Sequence, residues 1–135
     1  MPRSPSSESP CPCGGIPAGA AFAACCEPAL SGRAWPATAE ALMRSRYTAF
    51  AVGDGDHLFR TWHPRTRPRD TAPEPGVEFT GLIIDEVVGG GVDDAEGIVA
   101  FTAHSRAGGR AGAMRERSRF VRRAGRWMYL DGAAG

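Results

Sequence analysis

Residues 111–131 read AGAMRERSRFVRRAGRWMYLD, and this stretch carries the strongest signal for the fold. Side chains of a strand alternate between its two faces, so three arginines at every second position share one face. These arginines are Arg115, Arg117 and Arg119. Ala124-Gly125 then links the long strand, residues 111–123, to a second strand at Trp127–Asp131. The stretch therefore predicts two antiparallel strands joined by a tight turn.

Two more strands come before this pair. Residues 77–88 alternate between two faces, and the glycine-rich segment at 89–97 turns the chain into the apolar segment IVAFTAHS at 98–105. The sequence RAGGR at 106–110 makes the next turn. The chain is therefore expected to form four successive antiparallel strands.

Two helices are predicted ahead of the strands. Thr38 can cap the first helix, because a threonine hydroxyl accepts a hydrogen bond from a free N–H group of the first turn. Apolar side chains then recur at helical spacing until Gly53 stops the helix. Asp54 or Asp56 can cap a second helix, which carries an apolar face and ends before Pro64. A proline-rich loop follows.

The order of these elements predicts the fold class. Helices followed by antiparallel strands indicate an α+β domain in which the helices pack on one face of a curved antiparallel sheet. We expect Arg44 and Arg46 to be solvated, because they lie off the apolar face of the first helix. We assign residues 33–135 to this domain, residues 11–32 to a separate cysteine motif, and residues 1–10 to a disordered N-terminus.

The composition is that of a folded and nearly neutral chain. Hydrophobic residues make up 42% and charged residues 23% of 135 residues, which suits one domain with a short appendage. All 16 basic residues are arginine, and 15 acidic residues leave a net charge of +1, which does not favour nucleic-acid binding. No run of about 20 apolar residues occurs, and residues 1–10 lack the apolar centre of a secretory signal. We expect a cytoplasmic protein without a membrane span.

All four cysteines lie within residues 11–26, CPCGGIPAGAAFAACC. They form two pairs, Cys11-x-Cys13 and Cys25-Cys26, separated by eleven residues. In a reducing compartment such a cluster favours a metal site over disulfides, and four thiolates suit one structural zinc ion. Iron is an alternative, since thiolates also bind it. Disulfides and redox-active thiols remain further alternatives, although adjacent cysteines bridge only with strain and no C-x-x-C pair occurs.

The same residues resemble the SEC-C motif, the zinc-binding tail of the bacterial translocation ATPase SecA. That motif runs CPCGSG, an aromatic residue, two further residues and then CC or CH, and here Phe22 stands in the aromatic position. The loop between the cysteine pairs is three residues longer here, and Gly15 replaces the serine. The resemblance implies zinc binding by the four cysteines. It also implies contact with a partner protein, because the SecA motif contacts the chaperone SecB.

Three further stretches resemble the YchJ family of bacterial proteins. They are TAEALMRSRYTAF at 38–50, TWHP at 61–64 and GAMRERSRFVRRAGRWMYLDG at 112–132. In that family an N-terminal SEC-C motif precedes a domain similar to nuclear transport factor 2 (NTF2). The resemblance implies the cone-shaped NTF2-like fold, which often forms a homodimer through the open face of its sheet.

A cone-shaped sheet can enclose a ligand pocket with aromatic walls and a few convergent polar groups. Seven residues are candidates for its lining: Tyr47, Trp62, His63, His104, Glu116, Arg117 and Arg119. In a catalytic pocket, His63 or Glu116 would be the acid–base group. Each candidate also has an ordinary structural alternative, as a core aromatic residue or a surface charge.

Two functions follow from these observations. The first is a non-catalytic adaptor whose zinc knuckle contacts a partner protein, or a simpler version in which zinc only fastens the N-terminus. The second is a small-molecule binder or an enzyme of the isomerase or hydrolase type that uses the cone. We expect the first, because the sequence has no nucleophile elbow, phosphate-binding glycine loop or HExxH motif.

Overall fold

The computed structural model describes residues 5–135 and confirms the predicted α+β class. A short 3-10 turn at Phe22–Ala24 precedes three helices and four strands: α1 (Glu27–Leu30), α2 (Ala39–Val52), α3 (Gly55–Thr61), β1 (Val77–Gly89), β2 (Glu96–Ala107), β3 (Arg110–Arg123) and β4 (Arg126–Ala134). The strands form one antiparallel sheet in the order β1-β2-β3-β4, so each strand pairs with the next along the chain. No helix within residues 5–135 combines the length and the apolar character needed to cross a membrane.

Capping residues set the ends of α2 and α3. The Thr38 hydroxyl accepts a hydrogen bond from a first-turn N–H group at 3.1 Å. Gly53 ends α2 with a φ of 82°, a left-handed conformation that favours glycine. The Asp54 carboxylate caps α3 in the same way, at 2.9 Å. The predicted second helix ends before Pro64, and α3 ends at Thr61, so Trp62 lies just after it and forms a bridge to Tyr129 of β4.

Turns and bulges shape the sheet. Ala124 and Gly125 have φ values of 53° and 80°, and two consecutive positive φ angles are typical of a tight hairpin turn. Register shifts interrupt the strand pairing at three places, which are Phe79/Gly81, Ile84/Glu86 and Arg119/Phe120. Such bulges bend a strand and increase its twist. The sheet therefore curves around the helices.

The core lies between α2 and the concave face of the sheet. From α2, Leu42 and Tyr47 pack against apolar side chains of the strands. The strands contribute Val99, Phe101, Ala103, Phe120 and Trp127. Large aromatic side chains bury the most apolar area, and both Phe120 and Trp127 are fully buried.

The cysteine segment belongs to this same core. Cys11, Cys13, Phe22 and Cys26 are part of the hydrophobic cluster that α2 and the sheet form. Phe22, the aromatic residue of the motif, is 7% exposed. The motif is therefore packed against the body of the protein by apolar contacts as well as by its polar groups.

The predicted segment boundaries, after residues 10 and 32, stay a prediction. The disorder predicted for residues 1–10 falls partly on residues 1–4, which lie outside the described residues. From residue 5 onward this segment contacts the cysteine motif. Its Ser9 carbonyl accepts a hydrogen bond from the Phe22 N–H group at 2.8 Å.

The prediction that Arg46 is solvated is wrong. Arg46 is only 3% exposed, and its guanidinium lies 4.9 Å from the ring centroid of Trp62 and 4.4 Å from that of Tyr129. Its Nη1 donates to the Thr61 hydroxyl at 2.8 Å and to the Leu58 carbonyl at 3.1 Å. The apolar pattern of α2 did not reveal this environment, because α3 and β4 also pack against α2.

Candidate metal centre

The four cysteine sulfur atoms converge beside α2. Cys11 and Cys13 precede the glycine-rich loop, Cys25 follows the 3-10 turn, and Cys26 is the N-cap residue of α1. All four Sγ atoms lie within 4.8 Å of one another, with Cys13–Cys25 at 3.5 Å and Cys25–Cys26 at 4.0 Å. Zinc–sulfur bonds of about 2.3 Å in a tetrahedron separate the sulfurs by roughly 3.8 Å. The four thiols are free of disulfide bonds, and their spacing fits a tetrahedral ion.

Glycine allows the close approach of the backbone between the two cysteine pairs. Gly15 has a φ of 89°, and its N–H group donates to Cys13 Sγ at 3.3 Å. A Cβ at this position would lie 2.6 Å from the backbone nitrogen of Ala20, so only glycine fits. We call residues 14–19 the knuckle loop. Its last N–H group donates to its first carbonyl at 2.9 Å, which folds the loop into a compact turn.

Helix α2 supplies two polar contacts to the cysteine cluster. The Thr48 hydroxyl, fully buried, donates to Cys26 Sγ at 3.4 Å and lies 3.9 Å from Cys11 Sγ. One turn earlier on the helix, Arg44 Nη1 donates to the Cys13 carbonyl at 2.7 Å. Sequence reasoning missed Thr48, and its prediction that Arg44 is solvated is wrong, because the Arg44 side chain is only 15% exposed and bonds to the cysteine segment. The available signal was their i, i+4 spacing, which places them on one face of α2.

The thiols of the cluster are electrostatically coupled. Three of them are at most 4% exposed and Cys25 is half-buried. Hydrogen bonds with Cys13 and Cys26 lower the pKa of Cys11, whereas hydrogen bonds with Cys11 and Cys13 raise the pKa of Cys26. Burial raises the pKa of Cys25 to about 12. Coordination of one metal ion by all four sulfurs would require each of them to be deprotonated.

The donor set fits a structural ion rather than a catalytic one. Four sulfur ligands complete a tetrahedron and leave no coordination position for water or substrate. Soft thiolate ligands favour zinc or iron over hard cations such as magnesium and calcium. Four clustered cysteines that could bind a metal are therefore the principal chemical feature of residues 11–26.

Two of the residues predicted for a pocket are aromatic side chains with structural contacts. Tyr47 is buried in the core with its ring edge-on to Phe79, 5.7 Å between centroids, and burial raises its pKa to about 12. Trp62 packs against the Arg46 guanidinium. Its Nε1 is buried, and no hydrogen-bond partner for it lies among residues 5–135.

Glu116 takes part in a short polar chain on the inner side of the sheet. Its Oε2 accepts hydrogen bonds from the Tyr129 hydroxyl at 3.1 Å and from the Ser118 hydroxyl at 2.5 Å. The side chain lies over Gly132, where a Cβ would overlap the carboxylate. Burial, followed by the charge of Glu116, raises the pKa of Tyr129. Glu116 and Arg46 therefore both contact Tyr129, Glu116 through the hydroxyl and Arg46 through the ring. Strand alternation alone did not predict this arrangement.

Arg117 and Arg119, the two arginines predicted for the pocket, lie at alternate positions of β3. Each of them forms a salt bridge with an acidic residue of another strand. Arg117 bonds to Glu86 of β1. Arg119 bonds to both carboxylate oxygens of Asp131, at 2.7 and 2.6 Å. Arg119 and its partner are exposed, and Arg117 is partly exposed. These side chains do not join Tyr47 or Glu116 around a common space.

The two candidate histidines lie apart from each other. The His63 N–H group donates to the Tyr129 carbonyl at 2.8 Å, and its ring Nδ1 accepts from the Arg65 N–H group at 3.0 Å. His104 lies on β2, where it pairs with Gly81 of β1. His63 therefore serves the turn after α3 in this structure.

A third histidine, His57, is the buried one, and sequence reasoning did not single it out. Its Nε2 lies 2.9 Å from the Ser45 hydroxyl, which itself donates to the Leu42 carbonyl. The ring therefore carries its proton on Nε2 and donates it to Ser45. Burial lowers the pKa of His57 to about 3, with the neighbouring charges of Arg60 and Arg46 acting in the same direction. The sequence analysis predicted a helix cap at Asp54 or Asp56, close to His57 in the chain, but this cap gave no indication that the histidine is buried.

Two surface cavities occur elsewhere. One of about 420 Å³ borders Val88, Ile98 and Arg119 on the sheet. The other, of about 840 Å³, lies between the end of α2 and the proline-rich segment at residues 72–76. Among the seven pocket candidates, Arg119 alone lines either of these cavities. Neither cavity gathers the aromatic and polar candidates together.

Sequence comparison identifies relatives along nearly the whole chain. Residues 38–132 match the family model described as YchJ, middle NTF2-like domain. A UPF0225 protein from Deinococcus radiodurans is 48% identical over 125 residues, which cover 92% of this chain and 88% of that protein. A UPF0225 protein from Streptomyces coelicolor is 47% identical over 123 residues, covering 91% of this chain and 94% of the relative.

Solved structures share the fold. A SEC-C motif containing protein from Rhodopseudomonas palustris, solved in solution, matches with a TM-score of 0.80 and 31% identity, over 93% of this chain and 98% of that one. The crystal structure of a SEC-C motif containing protein from Psychrobacter arcticus matches with a TM-score of 0.72 and 21% identity, over 96% and 84% of the two chains. The second likeness concerns the fold alone. This chain belongs to the YchJ (UPF0225) family, and its residues 38–132 form the NTF2-like domain of that family.

Proposed function

We propose that this protein is a non-catalytic adaptor of the cytoplasm, in which one structural zinc ion bound by the four cysteines presents the knuckle loop to a partner protein. The observation that carries the proposal is the convergence of four free thiols within 4.8 Å on a segment that packs into the body of the protein. The ligands are Cys11, Cys13, Cys25 and Cys26. Reducing conditions keep such thiols available for a metal.

The role of the zinc ion is to order a segment that has little apolar surface of its own. Most residues between the cysteine pairs are glycine, alanine or proline. A metal that binds the folded segment and not the unfolded one adds its binding free energy to folding. The closed donor set supports a structural ion, because it leaves no site for substrate.

The knuckle loop is the surface we propose for the partner. Its sequence, GGIPAG, has no charged side chain, and Ile16 is 43% exposed. Cys13 and Gly15, which anchor the loop, are buried. The cluster thus fixes one side of the loop while Ile16 faces solvent, which supports recognition of an apolar surface on another protein.

A small-molecule binder or enzyme using the cone is the second candidate. It is favoured by one observation, the buried Nε1 of Trp62 beside the Arg46 guanidinium. Three other pocket candidates argue for the adaptor, because Tyr47 is buried in the core and Arg117 and Arg119 are paired with acidic residues. His63 and Glu116, our candidates for acid–base chemistry, share no hydrogen bond in the described residues.

Metal analysis of the reduced, purified protein tests the zinc proposal. We expect one zinc ion per chain, and loss of that zinc in the Cys25→Ser and Cys26→Ser variants. Iron in place of zinc would contradict the identity of the ion, and full retention of metal by both variants would contradict the ligand set. Zinc-loaded protein with Ile16→Asp then tests the partner surface. A protein captured from a bacterial lysate by the unaltered chain should be lost with this variant, and direct titration of the purified pair should show the same difference.

A further inference from the structure

We propose that Thr48 and Arg44 of α2 are positioning residues of the metal centre, so that the NTF2-like domain completes a site whose four ligands all come from the preceding motif. This inference rests on the proposed zinc ion. It assigns to the body of the protein a direct effect on metal affinity.

The Thr48 hydroxyl donates a hydrogen bond to the Cys26 sulfur. A buried hydroxyl needs an acceptor, and a threonine inside a helix often uses the carbonyl one turn earlier. Within residues 5–135, the partners of the Thr48 hydroxyl are the Cys26 sulfur at 3.4 Å and the Cys11 sulfur at 3.9 Å. A thiolate is the stronger acceptor, so this contact holds the Cys26 sulfur in the position in which it would bind the ion.

Arg44, one turn before Thr48 on α2, contacts the backbone of the cysteine segment. Its side chain is 15% exposed, and it bridges the Cys13 carbonyl at 2.7 Å and the Glu40 carboxylate at 2.9 Å. Zinc with four thiolates has a net charge of about −2. The largely buried guanidinium next to Cys13 would offset that charge, and its bond to the Cys13 carbonyl holds the backbone that carries two ligands and the knuckle loop.

Metal binding and the packing of α2 are therefore coupled. The two contacts come from successive turns of one helix, and the buried sulfurs belong to the same core as Leu42 and Tyr47. Contacts of this kind to metal ligands typically set affinity by roughly 10- to 100-fold when they are removed. The body of the protein is thus part of the metal site, and the motif is more than an appended tail.

Thr48→Val tests the inference, because valine keeps the shape of threonine and removes the hydroxyl. We expect zinc affinity, measured by competition with a chromophoric chelator, to fall by about 10- to 100-fold. Ser45→Ala on the same helix is the matched control, since it removes a buried hydroxyl that bonds to Leu42 and His57 and touches no cysteine. Its zinc affinity should stay within about twofold of the unaltered chain.

Thermal unfolding separates a role at the metal from a merely structural role. Thr48→Val should lower the unfolding temperature of the zinc-loaded protein more than that of the metal-free protein, whereas Ser45→Ala should lower both equally. Arg44→Met should weaken zinc binding in the same direction. Unchanged zinc affinity in both Thr48→Val and Arg44→Met would overturn this inference and leave the proposed zinc site intact. A chain that binds no zinc at all would overturn both.

Discussion

The Arg46 guanidinium packs 4.4 Å from the ring centroid of Tyr129, and the hydroxyl of the same tyrosine donates to Glu116. This contact ties α2 to β4 through a cation that has no carboxylate within salt-bridge distance in the described residues. Burial lowers the pKa of Arg46 to about 10, so the side chain stays charged at neutral pH. The two aromatic rings and the Thr61 hydroxyl provide its compensation.

Arg46→Ala should therefore destabilise the protein strongly. The change removes two cation–π contacts, leaves the Thr61 and Leu58 groups without their partner, and opens a cavity. We expect a loss of about 3 kcal/mol in the free energy of unfolding, measured by urea denaturation with an unchanged m-value. Arg69→Ala, in the exposed loop after α3, is the control and should change stability by less than about 0.5 kcal/mol. Equal effects would contradict the buried role of Arg46.

His57 should make the protein less stable in mild acid. Its pKa is about 3 in the folded protein and about 6.5 in the unfolded chain. As pH falls below about 6.5, the unfolded state gains a proton that the folded state does not bind, so stability is lost progressively until pH 3. From pH 7 to pH 5 this one residue should lower the free energy of unfolding by about 2 kcal/mol.

The contribution of His57 is isolated by measuring the free energy of unfolding against pH for the unaltered chain and for His57→Gln and taking the difference. Glutamine keeps a donor near Ser45 and does not titrate. Both proteins should be zinc-loaded, so that acid release of the metal affects them alike. If their stability curves run parallel between pH 7 and pH 5, His57 is not the titrating group.

Gly15→Ala should weaken metal binding more than Gly19→Ala. Both glycines have a positive φ, 89° and 82°, so each substitution costs about 1 kcal/mol in backbone strain. A Cβ at Gly15 would also overlap the backbone of Ala20, whereas one at Gly19 has nothing within 4 Å. Zinc affinity of the two variants, measured by chelator competition, should rank in that order. The opposite ranking would show that the close approach at Gly15 does not shape the site.

Metal removal should destabilise the whole domain rather than release a tail alone. Zinc at about 100 times its dissociation constant adds about 2.7 kcal/mol to stability, which corresponds to several degrees in unfolding temperature. Scanning calorimetry with and without a chelator should show one transition that moves down when zinc is removed. A transition of the domain that stays at the same temperature would indicate that the cysteine segment is energetically independent.

Much of the fold was predictable because its signals are local. Thr38 and Gly53 mark the ends of α2 within a few residues of chain, and Ala124-Gly125 specifies the last hairpin turn. The convergence of the four cysteines was predictable for a similar reason, since all of them lie on one short segment, residues 11–26.

The surroundings of the sites were less predictable, because they depend on contacts between distant parts of the chain. Arg46 is charged and lies off the main apolar stripe of α2, so the sequence pattern predicted an exposed side chain. In the structure it is covered by Trp62, which follows α3, and by Tyr129 of β4. Strand alternation correctly separated Glu116 from its arginine neighbours. Strand alternation did not predict that the arginines form salt bridges with acidic residues of other strands. In the structure Arg117 pairs with Glu86 and Arg119 with Asp131.

The shared core of the cysteine segment and the sheet has a consequence for biosynthesis. During translation, Cys11 and Cys26 leave the ribosome before Thr48, which contacts both sulfurs, and well before Phe101 and Trp127, with which they share the core. The nascent thiols therefore meet solvent, competing ions and oxidants until the last strands have been made. Docking of the earliest synthesised segment is thus among the late steps of maturation, and contacts between such distant parts of a chain form slowly.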